Sequence, residues 1–253
     1  NIDLVCFGPS PYNRDALEPL SIRYRFIPAG KLRRYFSIQN ILDIFRSLFG
    51  CVLAIPILFW EYPDVIFSKG GYTSVPVLIA ARLLRIPVVI HESDAVPGRA
   101  NRLARGFSKY IAIAHDEAST HFDAEKTALV GIPIRKAMRT IDPAPHQTLG
   151  IPADRPVLYI TGGSLGAKRI NELVLRCLPT LLESYTVFHQ TGAADYESTV
   201  LSAQALLSEP GQQDYYFPLA TLRSDQVRAA LSAAALVIPR AGSTTLFEIA
   251  LFG

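Results

Sequence analysis

The sequence predicts an α/β protein with parallel sheets, arranged as two doubly wound halves. Three observations lead there. Short β-rich runs alternate with helical patterns along the 253 residues. Polar, glycine-containing motifs follow the strand runs directly. A proline-rich stretch divides the chain near its middle. Strands that alternate with helices form parallel sheets whose faces the helices cover. The two halves are expected to face each other across a cleft.

The strand runs are "IDLVCF", "RYRFIP", "DVIFS", "PVVIH", "KYIAIA", "TALVG", "PVLYIT", "TVFHQ" and "ALVIP". The clearest helix carries Ile170, Leu173, Val174, Cys177, Leu178, Leu181 and Leu182, alternating steps of three and one along one face. The most apolar stretch, residues 47–60, is shorter than the roughly 20 residues a spanning helix needs. With Asp43, Arg46 and Glu61 around it and Pro56 inside, it reads as a buried or interfacial helix. Residues 141–156, "IDPAPHQTLGIPADRP", hold four prolines and few apolar positions, so a linker is expected there. It separates a first domain, residues 1–140, from a second, residues 157–253. The chain opens on a strand without the Gly-rich turn usual after the first strand of a doubly wound domain. It closes on a helix with no further strand. Both domains are therefore expected to be incomplete.

Composition narrows the class. With 49% hydrophobic and 19% charged residues the chain is globular, and a net charge of +3 gives no argument for a nucleic-acid partner. Cys6, Cys51 and Cys177 are far apart in apolar surroundings, which reads as buried, reduced thiols in a cytosolic protein. Neither a metal set nor a Ser–His–Asp order is legible, and no cofactor is expected.

The polar motifs are "SKGGYTS", "HESDAVPG", "GIPIR", "TGGSLGA", "HQTG" and "RAGSTT", each after a strand run. Ligands of open parallel sheets bind outside the carboxyl ends of the strands. Thr161–Gly166 is either a phosphate cradle at a helix start or a plain βα turn. It is neither G-x-G-x-x-G nor a P-loop, so nothing favours a nicotinamide or ATP. Ser243, Thr244 and Thr245 can cap a helix and donate to phosphate. Glu248 either chelates a sugar diol or is a solvated charge. Glu92 and Asp94 form either an acid/base pair or, with Asn101, a helix-capping cluster. His91 reads as a satisfied histidine at a strand end. Lys31, Arg33 and Arg34 precede the apolar helix, which suits an anionic membrane surface or a solvated cluster over a core helix.

Taken in order, "GGYTSVPVLIAARLLRIPVVIHESDAVPGRANRLA", "VGIPIR", "GGSLGA", "HQTG" and "RAGSTTLFE" resemble the MurG-type GlcNAc transferases of glycosyltransferase family 28, over nearly the whole chain. The resemblance implies the two-domain GT-B fold and metal-free inversion. It implies transfer of GlcNAc from UDP-GlcNAc to the lipid-linked diphosphate acceptor, lipid I, at the cytoplasmic face of the bacterial cell membrane. It implies donor contacts from Arg135, Gly163, Ser164, Gly166, Gln190, Ser243, Thr245 and Glu248. Acceptor contacts are implied for Tyr72, Glu92, Asp94 and Asn101. The family's proposed catalytic histidine is expected before Asn1. Leu165 stands where the family often has Gln, and Asp94 where Asn is common. Two alternatives stay open: a diacylglycerol hexosyltransferase of the same fold, and a non-catalytic sugar-nucleotide-binding or membrane-recruiting subunit.

Overall fold

The computed structural model describes residues 2–9, 17, 21–31, 37–163 and 166–252. The chain divides into two compact units, Asn1–Ile132 and Pro133–Gly253.

In the first unit β1 (Val5–Gly8) pairs in parallel with β2 (Arg23–Phe26). Then come α1 (Ile38–Glu61), β3 (Ile66–Ser68), α2 (Val75–Leu83), β4 (Val88–Glu92), α3 (Arg99–Ala104), β5 (Tyr110–Ile113) and β6 (Thr127–Leu129). β3, β4, β5 and β6 form a parallel sheet in sequence order. One face of that sheet (Ile66, Val88, Ile90, Ile111, Ile113) buries against Leu78 and Ala81 of α2 and Ala54 and Leu58 of α1. The alternation of inward and outward residues is the period of two that a pleated strand imposes.

α1 starts where the Ser37 hydroxyl accepts the Gln39 amide at 3.3 Å, an N-cap that satisfies one of the orphan donors of the first turn. The apolar stretch 47–60 is only its later part. Counted from Gln39 to Glu61, the helix is long and apolar enough to cross a membrane by length and composition, so the shortness expected from the sequence does not hold. One face packs on α2. The other exposes Phe45 (65%), Phe49 (62%), Val52 and Trp60 (85%). Arg33 and Arg34 of the basic cluster lie outside the described residues.

The second unit holds α4 (Pro145–Leu149), β7 (Val157–Thr161), α5 (Lys168–Leu181), β8 (Thr186–Gln190), α6 (Tyr196–Leu206), β9 (Tyr216–Leu219), α7 (Ser224–Ala233), β10 (Ala234–Pro239) and α8 (Ser243–Ile249). Its parallel sheet has the order β10-β7-β8-β9. β7 and β8 are buried along their whole length. Leu158, Ile160 and Val187 pack on Val174, Leu178 and Leu182 on one face. Val157, Tyr159 and Phe188 pack on Ala230, Leu231, Met138 and Ile151 on the other.

Four further expectations differ from this structure. Residues 141–156 are not a free linker but part of the second unit. Ile151 is buried in its core, and the buried Asp142 carboxylate accepts from Arg228 Nη2 and the Ala144 amide, each at 3.0 Å. The prolines there mark turns and the start of α4, where a missing N–H costs nothing, and the division falls at Ile132–Pro133. β9 was not among the expected strands. It is an edge strand, which is where a residue such as Pro218 is tolerated. In α5 the buried line is Asn171, Val174 and Leu178, so Leu173 is exposed despite its apolarity. Cys177 is exposed for the same reason, and Cys6 and Cys51 are half-buried. The thiols are thus not all interior.

Candidate functional site

In the second unit, β8 and β9 lie on one side of β7 and β10 returns on the other. Strand order therefore reverses between β7 and β10, and at such a switch point the loops beyond the strand ends diverge and leave a crevice. The glycine turn after β7 and the Ser243–Glu248 segment after β10 both open there.

Glu248, only 8% exposed, lies on α8. Its Oε1 accepts from Arg135 Nη2 at 3.0 Å, while Arg135 Nη1 donates to Ser224 Oγ at 2.7 Å. Glu248 is thus a buried, ion-paired carboxylate rather than a solvated one. Beside the pair is a recess of about 90 Å³, lined by Arg135, Tyr159, Thr161, Gly163, Gln190, Thr245 and Glu248 among others. A recess of that size holds part of a ligand, such as a hydroxyl pair, with the rest lying outside it. Drug-sized sites run to several hundred Å³.

The floor is a polar network. Thr161 Oγ1 donates to Gln190 Oε1 at 2.8 Å and accepts the Gly163 amide at 2.9 Å. Tyr159 Oη points to the same Gln190 oxygen at 3.4 Å. Burial pushes the Tyr159 hydroxyl up to about 12, so it stays a neutral donor. Gly163 (φ 76°) and Gly166 (φ 75°) adopt the left-handed conformation. A Cβ on Gly166 would also overlap the Thr191 carbonyl. Ser164 and Leu165 lie outside the described residues.

Five of the sequence-derived donor residues, Arg135, Gly163, Gln190, Thr245 and Glu248, line this one recess. Gly166 sits at the far end of the turn, and Ser243 opens α8. Tyr159 and Ser224 were missed, and Thr161 was read only as the start of the glycine turn. Tyr159 carried a readable signal: it lies two residues before Thr161 on a buried strand and so shares its face. Ser224 carried none.

In the first unit, Glu92 is 4% exposed and fully engaged. It accepts from the Asp94 amide (3.0 Å), the Gly98 amide (2.9 Å) and Asn101 Nδ2 (2.9 Å). Glu92 and the buried Asn101 thus tie the loop after β4 to α3, which is the capping alternative rather than an acid/base pair. His91 Nε2 meets the Gly131 carbonyl at 2.9 Å, and Nδ1 meets the Ser93 hydroxyl at 3.3 Å, so the ring is satisfied at both ends. Asp94 and Tyr72 are exposed.

Two consecutive parallel α/β units, each with its polar motifs at the strand ends, give the GT-B fold. The Glycosyltransferase family 28 N-terminal domain matches residues 5–113, and the Glycosyltransferase family 28 C-terminal domain matches residues 157–253. The chain belongs to glycosyltransferase family 28. It is similar to the UDP-N-acetylglucosamine--N-acetylmuramyl-(pentapeptide) pyrophosphoryl-undecaprenol N-acetylglucosamine transferase of Shouchella clausii, at 41% identity over 93% of this chain and 64% of that protein. The Staphylococcus carnosus protein of the same name is 40% identical over 90% of this chain and 60% of its own length. The crystal structure of Acinetobacter baumannii MurG superposes with a TM-score of 0.60 at 26% identity, covering 99% of this chain and 66% of that one. The chain thus spans somewhat less than two thirds of the length of these curated relatives.

Proposed function

We propose that the chain is the larger part of an inverting glycosyltransferase that moves GlcNAc from UDP-GlcNAc to lipid I, giving lipid II for peptidoglycan. The observation that carries this reading is the Arg135–Glu248 pair beside the glycine turn at the switch point of the second sheet. A carboxylate held in place by a guanidinium suits a ribose diol, which offers two hydroxyl donors. Ser243 and Thr245, on α8, then meet the diphosphate, and the family resemblance adds Ser164 as a contact to the sugar nucleotide. Amides and hydroxyls aimed at the leaving diphosphate stabilise the charge that develops on it as the acceptor hydroxyl attacks C1. No residue of this chain is assigned as the base.

In the first unit Tyr72 and Asp94 are the acceptor-facing candidates, and Glu92 and Asn101 act by shaping the loop that presents Asp94. The exposed apolar face of α1, with Lys31, Arg33 and Arg34 before it, supports peripheral docking on an anionic membrane that holds the acceptor. The test is turnover of UDP-GlcNAc by the full-length protein with lipid I and diacylglycerol side by side. Transfer to lipid I is expected. Transfer to diacylglycerol alone, or UDP-GlcNAc binding without transfer to either, overturns the reading.

A further inference from the structure

Below the glycine turn lies a second polar network that lines no part of the recess. Asn171, buried on the first turn of α5, donates through Nδ2 to the Thr191 carbonyl (3.0 Å) and to Asp195 Oδ2 (3.3 Å). Its Oδ1 meets His189 Nε2 at 3.1 Å, and His189 Nδ1 meets the Tyr216 hydroxyl at 3.0 Å. Two acceptors on the Nδ2 side fix the orientation of the Asn171 amide. Its Oδ1 can only accept, so His189 carries its proton on Nε2, and Nδ1 accepts from Tyr216. Both side chains are fully satisfied and buried.

The network meets the turn at one atom. The Thr191 carbonyl that Asn171 grips is the atom against which Gly166 is seated, so closely that no Cβ fits there. His189 and Gln190 are neighbours at the end of β8 and point to opposite faces of the sheet. Gln190 braces the start of the turn through Thr161, and His189 braces its end through Asn171.

We infer that Asn171 and His189 are positioning residues for the end of the glycine turn: they lock the start of α5 to Thr191 and so fix Gly166 and the free amides of the first turn of α5 where a sugar-nucleotide phosphate is held. The inference rests on the reading of that turn as the donor loop. Pre-set donors bind without an ordering cost, so loosening them weakens ground-state donor binding first.

The test measures UDP affinity by calorimetry, and the KM for UDP-GlcNAc against kcat, in Asn171→Ala, His189→Leu and His189→Gln of the full-length protein. Exchange of the Gly166 amide is followed in parallel without ligand. Asn171→Ala and His189→Leu are expected to weaken UDP about 10-fold, the size of one lost buried hydrogen bond. The KM for UDP-GlcNAc should rise similarly, with kcat changing less, and Gly166 exchange should accelerate. His189→Gln can keep an N–H toward Asn171 and is expected to recover most of the affinity. Wild-type affinity and Gly166 exchange in the two disruptive variants overturn the inference. If the wild type does not bind UDP, the donor reading itself fails, and Gly166 exchange alone then decides whether the pair positions the turn. If Asn171→Ala does not fold, Asn171→Ser, which keeps a donor for Thr191, is compared with His189→Leu in the same assays.

Discussion

Because His189 binds its proton in the unfolded chain before it does in the folded one, the second unit should lose stability as soon as pH falls below about 6.5, above the range in which carboxylates titrate. Burial holds this imidazole down at about 4, against an ordinary 6.5, because the charged ring would lose its hydration there. The unfolded chain binds the proton below about pH 6.5 and the folded chain only near pH 4. Stability from this group is therefore unaffected above pH 6.5, declines as pH falls, and is fully lost below about pH 4. A gap of about 2.5 units corresponds to roughly 3 kcal/mol at the acid end, since each unit is worth about 1.4 kcal/mol. Between pH 7 and pH 5 the loss is about 2 kcal/mol by the same linkage. The perturbation is His189→Gln, which cannot titrate. The assay is hydrogen exchange of the β8 amides at both pH values, which reports opening of the second unit; the single tryptophan, Trp60, lies in the first. The wild type should lose about 2 kcal/mol more than the variant over that interval. Equal losses, or a His189 ring resonance titrating near 6.5, would mean that the folded ring is not held neutral.

Glu248→Ala should raise the donor KM about 10- to 100-fold, the worth of hydrogen bonds to a buried charged group, in steady-state kinetics of the full-length protein. Unchanged kinetics remove Glu248 from the site. Leu178→Ala empties a fully buried position between α5 and the sheet and should cost about 2–5 kcal/mol in denaturant unfolding of the second unit. Liposome flotation with anionic vesicles should recruit the full-length protein. Changing Phe45, Phe49 and Val52 to Ser, or Lys31, Arg33 and Arg34 to Glu, should abolish recruitment, and retention by both variants removes α1 as the docking surface.

The second sheet was largely legible in the sequence. β7 and β8 are buried on both faces, so they read as unbroken apolar runs ending in polar motifs. β9 was not, because an edge strand tolerates a proline and carries less apolar pattern. The helix over residues 168–181 was legible as a helix but not in its buried line, because Asn171 fills an inward position that a count of apolar residues passes over. The stretch 141–156 misled for a related reason. Prolines report local backbone shape, and the burial of Asp142 and Ile151 depends on partners, such as Arg228, far along the chain.

Local sequence pattern set the alternation of strand and helix, the parallel sheets, and the position of the glycine and hydroxyl motifs at strand ends. These follow from local periodicity and from the one way a crossover connection can return. Which of those motifs meet depends on how the chain folds back on itself. Arg135 and Glu248 are 113 residues apart and become one ion pair because β10 returns beside β7. Glu92 turned from a candidate acid into a loop clamp, and His189 from one residue of a strand-end motif into a brace, once the hydrogen-bond partners around each were in view. A side chain's chemistry is set by its neighbours, and neighbours across a sheet are fixed by topology rather than by spacing along the chain.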